Sequence, residues 1–232
     1  MIKWFFLVLC FIHSLLVVGQ LTEYSSLEEK EGYLTFKKGE KEPFSGTAVK
    51  WHSPGKPQFI IEYVEGLENG KAVFYNKAGE IESTGFYLDG MEHGLWQWYY
   101  PGKKMKATGY FKSGTANGFW VYYRENGTKE REGNVKNGIE DGHWMYWNDK
   151  GLLINERDYK DGQKDGLEIW YYSSGKIMIQ RTFVNGIENG VFTGWFENGQ
   201  KQIEGNAKNG LVVRYQEWDI NGKALKIQTP DE

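Results

Sequence analysis

Two series of glycines run through this chain in step. Gly66, Gly90, Gly114, Gly138, Gly162, Gly186 and Gly210 stand 24 residues apart, and Gly46, Gly70, Gly94, Gly118, Gly142, Gly166 and Gly190 keep the same spacing. An exact period held for that long makes the repeat the unit of folding. The stretch Phe111 to Val135 shows one unit whole. It has a glycine turn from Gly114 to Gly118, an aromatic strand Phe119 to Tyr123, an Asn126-Gly127 turn and a polar strand Thr128 to Asn134. Only about five to eight residues separate turns, a length that suits strands and excludes ordinary helices. The fold class expected is therefore all-β: an elongated antiparallel meander, solenoid-like, built of 24-residue two-stranded hairpins. At ~4.8 Å per strand, seven to eight copies would extend ~70–75 Å.

Composition agrees with many short strands and tight turns. Of 232 residues, 30 are glycine and 16% are aromatic, against only 5 prolines. The formal charge is -3. A nucleic-acid binder needs a basic stripe, so nucleic acid is not expected as a partner, and charge gives no support for membrane contact.

The first residues follow another logic. Met1 to Lys3 is a short positive start and Trp4 to Val18 an apolar run of signal-peptide length, with Val17 and Gly19 as small residues before a cleavage point. Residues 1–19 therefore read as a cleavable signal peptide, and the protein is expected to be exported to the periplasm, cell surface or medium. The run is short for the ~20 residues of a membrane span. The single cysteine, Cys10, lies within it after Leu9, which is not a lipoprotein arrangement. The mature chain is then expected to have no disulfide and no thiol chemistry.

Residues 20–43 form a lead-in: Leu21 to Lys30 reads as a short polar linker or a frayed segment, and Tyr33 to Phe36 as a possible capping strand. The array spans 44–227. It opens with a partial copy over 44–62, continues in full copies starting at 63, 87, 111, 135, 159 and 183, and ends in a degenerate copy from 207, with a tail at 228–232. Atypical ends around regular middles are what stacked arrays require. Residues before the second glycine of each unit, such as Asn69, Asn117 and Asp141, are of types that tolerate left-handed turn geometry.

Counting outward from Asn126-Gly127 sets Glu125 opposite Thr128, Tyr123 opposite Glu130 and Trp120 opposite Gly133. Gly85, Gly109, Gly133 and Gly205 share that last slot, so an aromatic ring can lie flat on backbone there. The face carrying Trp96, Trp98, Trp120, Tyr122, Trp144, Tyr146 and Trp170 is expected to be the inner, packed one. The other face holds a column with one member per copy: Trp51, Tyr75, Tyr99, Tyr123, Trp147, Tyr171 and Trp195. Two readings remain for this column. It stiffens a single-layered sheet by cross-strand contact, or it forms an exposed platform for a partner.

Catalytic constellations are missing. His93 and His143 stand two copies apart at different registers, which argues against a shared metal site. Asp161-Gly162 and Asp165-Gly166 fit turn geometry better than a calcium loop, because neighbouring copies carry Asn137 or Ser113. No phosphate-cradling loop or nucleophile elbow occurs. A repeated chain presents the same residues everywhere, so no enzymatic activity, cofactor or metal is expected.

The core Gly-x-x-(Asn/Asp/His)-Gly-x-Trp-x-x-Tyr occurs from Gly90 to Tyr99 and from Gly114 to Tyr123, and with a final tryptophan from Gly138 to Trp147. It resembles the MORN repeat variant, and the whole array resembles the YwqK-type proteins often classed as antitoxin components. That resemblance implies an elongated sheet used for protein or membrane contact, and no catalytic residues. With the export signal, the leading expectation is a non-enzymatic scaffold binding a protein along its aromatic face. A cell-wall glycan module and an antitoxin or immunity component are the alternatives.

Overall fold

A computed structural model of the chain describes residues 20–30 and 32–225. The leader at 1–19 and the tail at 228–232 lie outside them. One 18-stranded sheet accounts for nearly the whole array, and a three-residue 3-10 turn, Tyr24–Ser26, is the only helical element among the described residues. From Gly46–Ser53 to Leu211–Glu217 the long strands pair antiparallel in chain order, with Thr115–Ala116 and Ile187–Glu188 pairing back on the strands before them, so the sheet is the expected long meander.

The first glycine series makes the tight turns. Asp89-Gly90 joins Leu88 to its partner Met91, with φ of 51° and 77°. The same left-handed pair recurs at Glu65-Gly66, Ser113-Gly114, Asn137-Gly138, Asp161-Gly162, Asn185-Gly186 and Asn209-Gly210. Positive φ at both central residues is the type I′ turn, whose twist matches that of the strands it joins. The left-handed non-glycine is thus the residue before the first glycine, not the one before the second as the sequence reading has it. These turns are also tied to one another. Each glycine N–H donates to a carbonyl 22 residues earlier, from Gly66 to Phe44 through Gly210 to Glu188, at 2.8–3.0 Å.

The second glycine series does not turn the chain. Gly142 lies inside the strand Ile139–Trp147, where Gly133 faces Trp144 but the next residue, Asn134, already faces Asp141. The aromatic strand carries two residues more than its partner there. Gly70, Gly94, Gly118, Gly166 and Gly190 hold the equivalent place with φ of 70–122°. The motif is a β-bulge, which bends the strand and increases its twist.

At the opposite edge, the Asn126-Gly127 loop is one residue longer than a two-residue hairpin. Arg124 donates to Thr128 O and Gly127 to Arg124 O, both at 2.8 Å. Tyr123 therefore faces Lys129 rather than Glu130, and the ladder slips between Tyr122 and Tyr123 to restore Trp120 opposite Gly133. The Asn76, Asn148 and Asp219 side chains brace their own loops by accepting two backbone N–H bonds each.

The tryptophan-bearing face is the packed one. Trp96, Trp120 and Trp144 are buried at 4%, 7% and 0% exposure. A Cβ at Gly85, Gly109 or Gly133 would overlap the facing indole, so only glycine fits beneath each ring. The rings continue one into the next from Phe59 and Phe74 through Trp96, Trp98, Trp120, Tyr122 and Trp144 to Tyr146, with centroids 5.4–6.5 Å apart. Trp170 is outside this stack, and Arg157 lies 5.4 Å from its ring instead.

The lead-in is ordered rather than a linker. Thr22–Glu23 pairs in parallel with Ala48 and Val49, and Leu27–Glu29 pairs with Thr35–Lys37 in a separate small sheet. Leu27 and Phe44 are buried against Ala48, Ile61 and Tyr63, closing the first edge of the array.

Gly133 has an ordinary φ, so Gly133→Ala tests the ring contact without backbone strain. Denaturant unfolding should show a loss of about 1–3 kcal/mol from overpacking. Combining it with Trp144→Ala should return part of that loss, because the overlap is then removed.

Candidate interaction face

The bulges and three-residue loops set two rows on the sheet's other face. Nearest the long loops runs the column Trp51, Tyr75, Tyr99, Tyr123, Trp147, Tyr171 and Trp195, all seven half-buried. Among the described residues no ring contact joins two of its members, and their partners are polar. Trp51 Nε1 donates to Glu23 Oε1 at 2.8 Å, Lys129 Nζ stands 4.6 Å from the Trp147 ring, and the Tyr171 hydroxyl donates to Glu156 Oε1 at 2.8 Å. The column backbone is clasped from the preceding copy. His52 contacts Tyr75 O at 3.0 Å, Tyr100 donates to Tyr123 O at 3.1 Å, Arg124 to Trp147 O at 2.7 Å and Tyr172 to Trp195 O at 2.8 Å. These four residues share one register, so the loops are locked copy to copy.

The most exposed row is a different one, close to the type I′ turns. Phe86, Leu95, Tyr110 and Phe119 lie beside the bulges on four successive strands, with exposures of 52%, 37%, 48% and 46%. Leu88 and Met91 extend the patch toward the turn edge. Leu95 and Tyr110 face each other directly. An apolar group of this kind, set among polar neighbours, is the ordinary mark of a contact surface. The alternation that places Tyr123 on this face also places Phe119 there. The signal is present in the sequence, in the alternation of Phe119, Val121 and Tyr123.

Farther along, the same row turns polar and forms a network that register alone could have located. His143 lies opposite Asp158, with Nδ1 to Oδ1 at 2.8 Å, while its Nε2 stands 3.1 Å from Glu156 Oε2. Asp158 Oδ2 also accepts the Leu167 N–H at 3.0 Å, as Glu62 Oε2 accepts that of Lys71 at 2.8 Å in an earlier copy. These carboxylates satisfy bulge N–H groups, so they are fastened by the fold. His93 takes no part. Among the described residues no group of three or more histidine, cysteine, aspartate or glutamate side chains is arranged to hold a metal ion.

The inner face carries a second departure from the repeat. In the glycine slot stand Arg157 and Arg181, and Glu168 replaces the facing tryptophan. Glu168 is buried at 3% exposure and held by Arg157 Nε at 3.1 Å and Lys164 Nζ at 2.6 Å. Arg131 and Arg157 lie 4.2 Å and 4.8 Å from the Tyr122 and Tyr146 rings, so a guanidinium covers the stack within its length and another covers its last ring. Residues unique to one place therefore do occur, and the missing glycines at 157 and 181 are the sequence signal for them.

With this geometry in view, comparison with known proteins gives one family. The MORN repeat variant matches residues 92–113, 164–185 and 188–209. The three matches share the 24-residue register, and each covers an aromatic strand, its loop and the following polar strand. No curated protein matches the chain. Two solved structures are similar in part. One is a GtfA/B complex bound to UDP and GlcNAc, 16% identical over 56% of this chain and 28% of that one, with a TM-score of 0.22. The other is TcdB2-TccC3, 10% identical over 88% of this chain and 15% of that one, with a TM-score of 0.19. The chain spans less than a third of the length of either, and at such scores neither likeness bears on its function.

Burial and then donation to Glu156 push the Tyr171 phenol up to about 12. A raised folded-state pKa contributes stability that is complete below the unfolded value of about 10 and is lost as pH rises through about 12. Tyr171→Phe should flatten that alkaline loss in denaturant unfolding followed across the same window. An unchanged profile would show that the Tyr171–Glu156 bond does not act on stability.

Proposed function

We propose that this protein is a non-enzymatic, exported scaffold that holds a protein partner along the outer face of its sheet. The observation carrying this reading is the exposed apolar row Phe86, Leu95, Tyr110 and Phe119, at 37–52% exposure beside the half-buried column. The inner face spends its aromatic area on itself, whereas the outer rings are presented on a backbone fixed by turn and loop clasps. Rigid aromatic groups on a pre-ordered surface lose little entropy on binding and so make good anchors. Copies in the MORN variant pattern support a repeat scaffold, and the resemblance to the YwqK-type proteins supports the same role without naming a partner.

The test is in vivo crosslinking from the native cells. Replacing Tyr99, Tyr123 and Trp147 together by serine should weaken partner capture by more than about tenfold, as loss of anchor residues does. The circular dichroism spectrum should be retained. Collapse of the fold would make the column structural and remove it from the site. Undiminished capture by this variant and by one carrying Phe86→Ser and Phe119→Ser would reject the outer face. Binding of soluble wall polysaccharide with a tryptophan fluorescence change, and no protein capture, would make the scaffold a glycan binder.

A further inference from the structure

The inner face changes character toward its last strands. One of its rows crosses the sheet from Tyr146 through Asn155, Trp170, Ile179, Gly194 and Ile203 to Glu217, each residue directly facing the next. In this row Phe74, Trp98, Tyr122, Tyr146 and Trp170 stand 24 residues apart, one ring in each copy. At the next step the ring is missing, because Gly194 holds its place. A groove of about 420 Å³ opens there. Ile179 and Ile203 flank it, Arg181 and the buried Phe192 line it from the adjacent row, and Glu188 and Glu217 bring two carboxylates to it.

We propose that this groove is a binding site for a small aromatic amine, whose ring takes the place left open at Gly194 and whose ammonium meets Glu217. The site lies on the face opposite the proposed protein contact and does not depend on it. Shape selects the ring. The groove continues a row that elsewhere carries one ring per copy, and its volume falls within the ~300–1,000 Å³ of small-molecule sites. One copy earlier, Arg157 shows how such a place is filled. Its guanidinium stands 4.8 Å from the Tyr146 ring on one side and 5.4 Å from the Trp170 ring on the other. Arg181 occupies the same slot one copy on, between the strand of Trp170 and the strand where Gly194 replaces the second ring. A ligand ring completes that arrangement, since a guanidinium is drawn to an aromatic face. Charge selects the amine. Arg181 Nη1 is 3.5 Å from Glu188 Oε2, so those two charges balance each other. Glu217 is the charge left over, because among the described residues its carboxylate has no ion pair. A carboxylate beside an apolar wall attracts a cation and repels an acidic ligand.

Isothermal titration calorimetry on the purified protein tests the site with three probes. They are tyramine, its anionic counterpart hydroxyphenylpropionate, and cyclohexylethylamine, which keeps the amine and loses the aromatic face. Tyramine should bind once per chain, at least about tenfold more tightly than either of the others. Glu217→Gln should weaken tyramine about tenfold and bring its affinity close to that of the acid. Arg181→Lys keeps the charge without the planar group, so it should remove the preference for tyramine over the cyclohexyl amine. Both variants alter half-buried side chains, and a retained circular dichroism spectrum separates a lost contact from a lost fold. Equal affinity for tyramine and the acid, tyramine binding unchanged by Glu217→Gln, or no binding at all would overturn the inference. Binding by a chain ending at Leu225 but not by the full chain would overturn it as well, since the groove would then belong to the protein's own residues 226–232.

Discussion

An indole lying flat on a glycine of the neighbouring strand is the contact on which this structure depends. A single sheet has no second layer to cover its apolar face, so it must bury its rings against its own backbone. Glycine beneath each tryptophan allows that approach, and the bulge two residues before the indole brings the ring into position. Trp144, with no measurable exposure, shows that the arrangement can dry a large side chain without a partner sheet. Because the rings run in contact from one copy into the next, burial is shared along the array. This is the nearest-neighbour economy of repeat proteins, worked out with aromatic side chains.

What the sequence revealed followed from how local each feature was. The 24-residue period, the all-β class and the packed Trp120–Gly133 face need only spacing and alternation, and all three hold in the structure. The finer register needed the three-residue geometry of the Arg124–Thr128 loop, which moves Tyr123 from Glu130 to Lys129. Asn126-Gly127 invites a two-residue reading, and nothing local contradicts it. The second glycine series looked like a turn because glycine is common to turns and bulges alike. Only the pairing of Asn134 with Asp141 tells them apart. The lead-in reads as a linker for a related reason. Its polar composition hides the two anchors, Leu27 and Phe44, whose burial depends on strands far along the chain.

The candidate face was legible in part. Its side of the sheet and the column of seven rings followed from alternation, but exposure could not. The column is half-buried, whereas Phe86 and Phe119 keep about half of their surface open. His143, Asp158 and Glu156 meet through register and not through sequence proximity.

The buried Glu168, with Arg157 and Lys164, has a consequence for how such a chain finds its native pairing. Near-identical copies offer an easy mistake: a strand can skip its true neighbour and dock on the next copy with almost the same side chains in place. Most of this array would tolerate that slip, since one indole would find another glycine. Strand Gln163–Tyr171 would not. Docked one copy out of place on Lys129–Lys136, its Glu168 would face Gly133 and lose the guanidinium of Arg157 while remaining dry. Removing one partner from a buried ion pair is costly, whereas the pair itself adds little net stability. The irregular copy thus works as a key in an otherwise uniform zipper, making one alignment of the strands distinguishable from all the others.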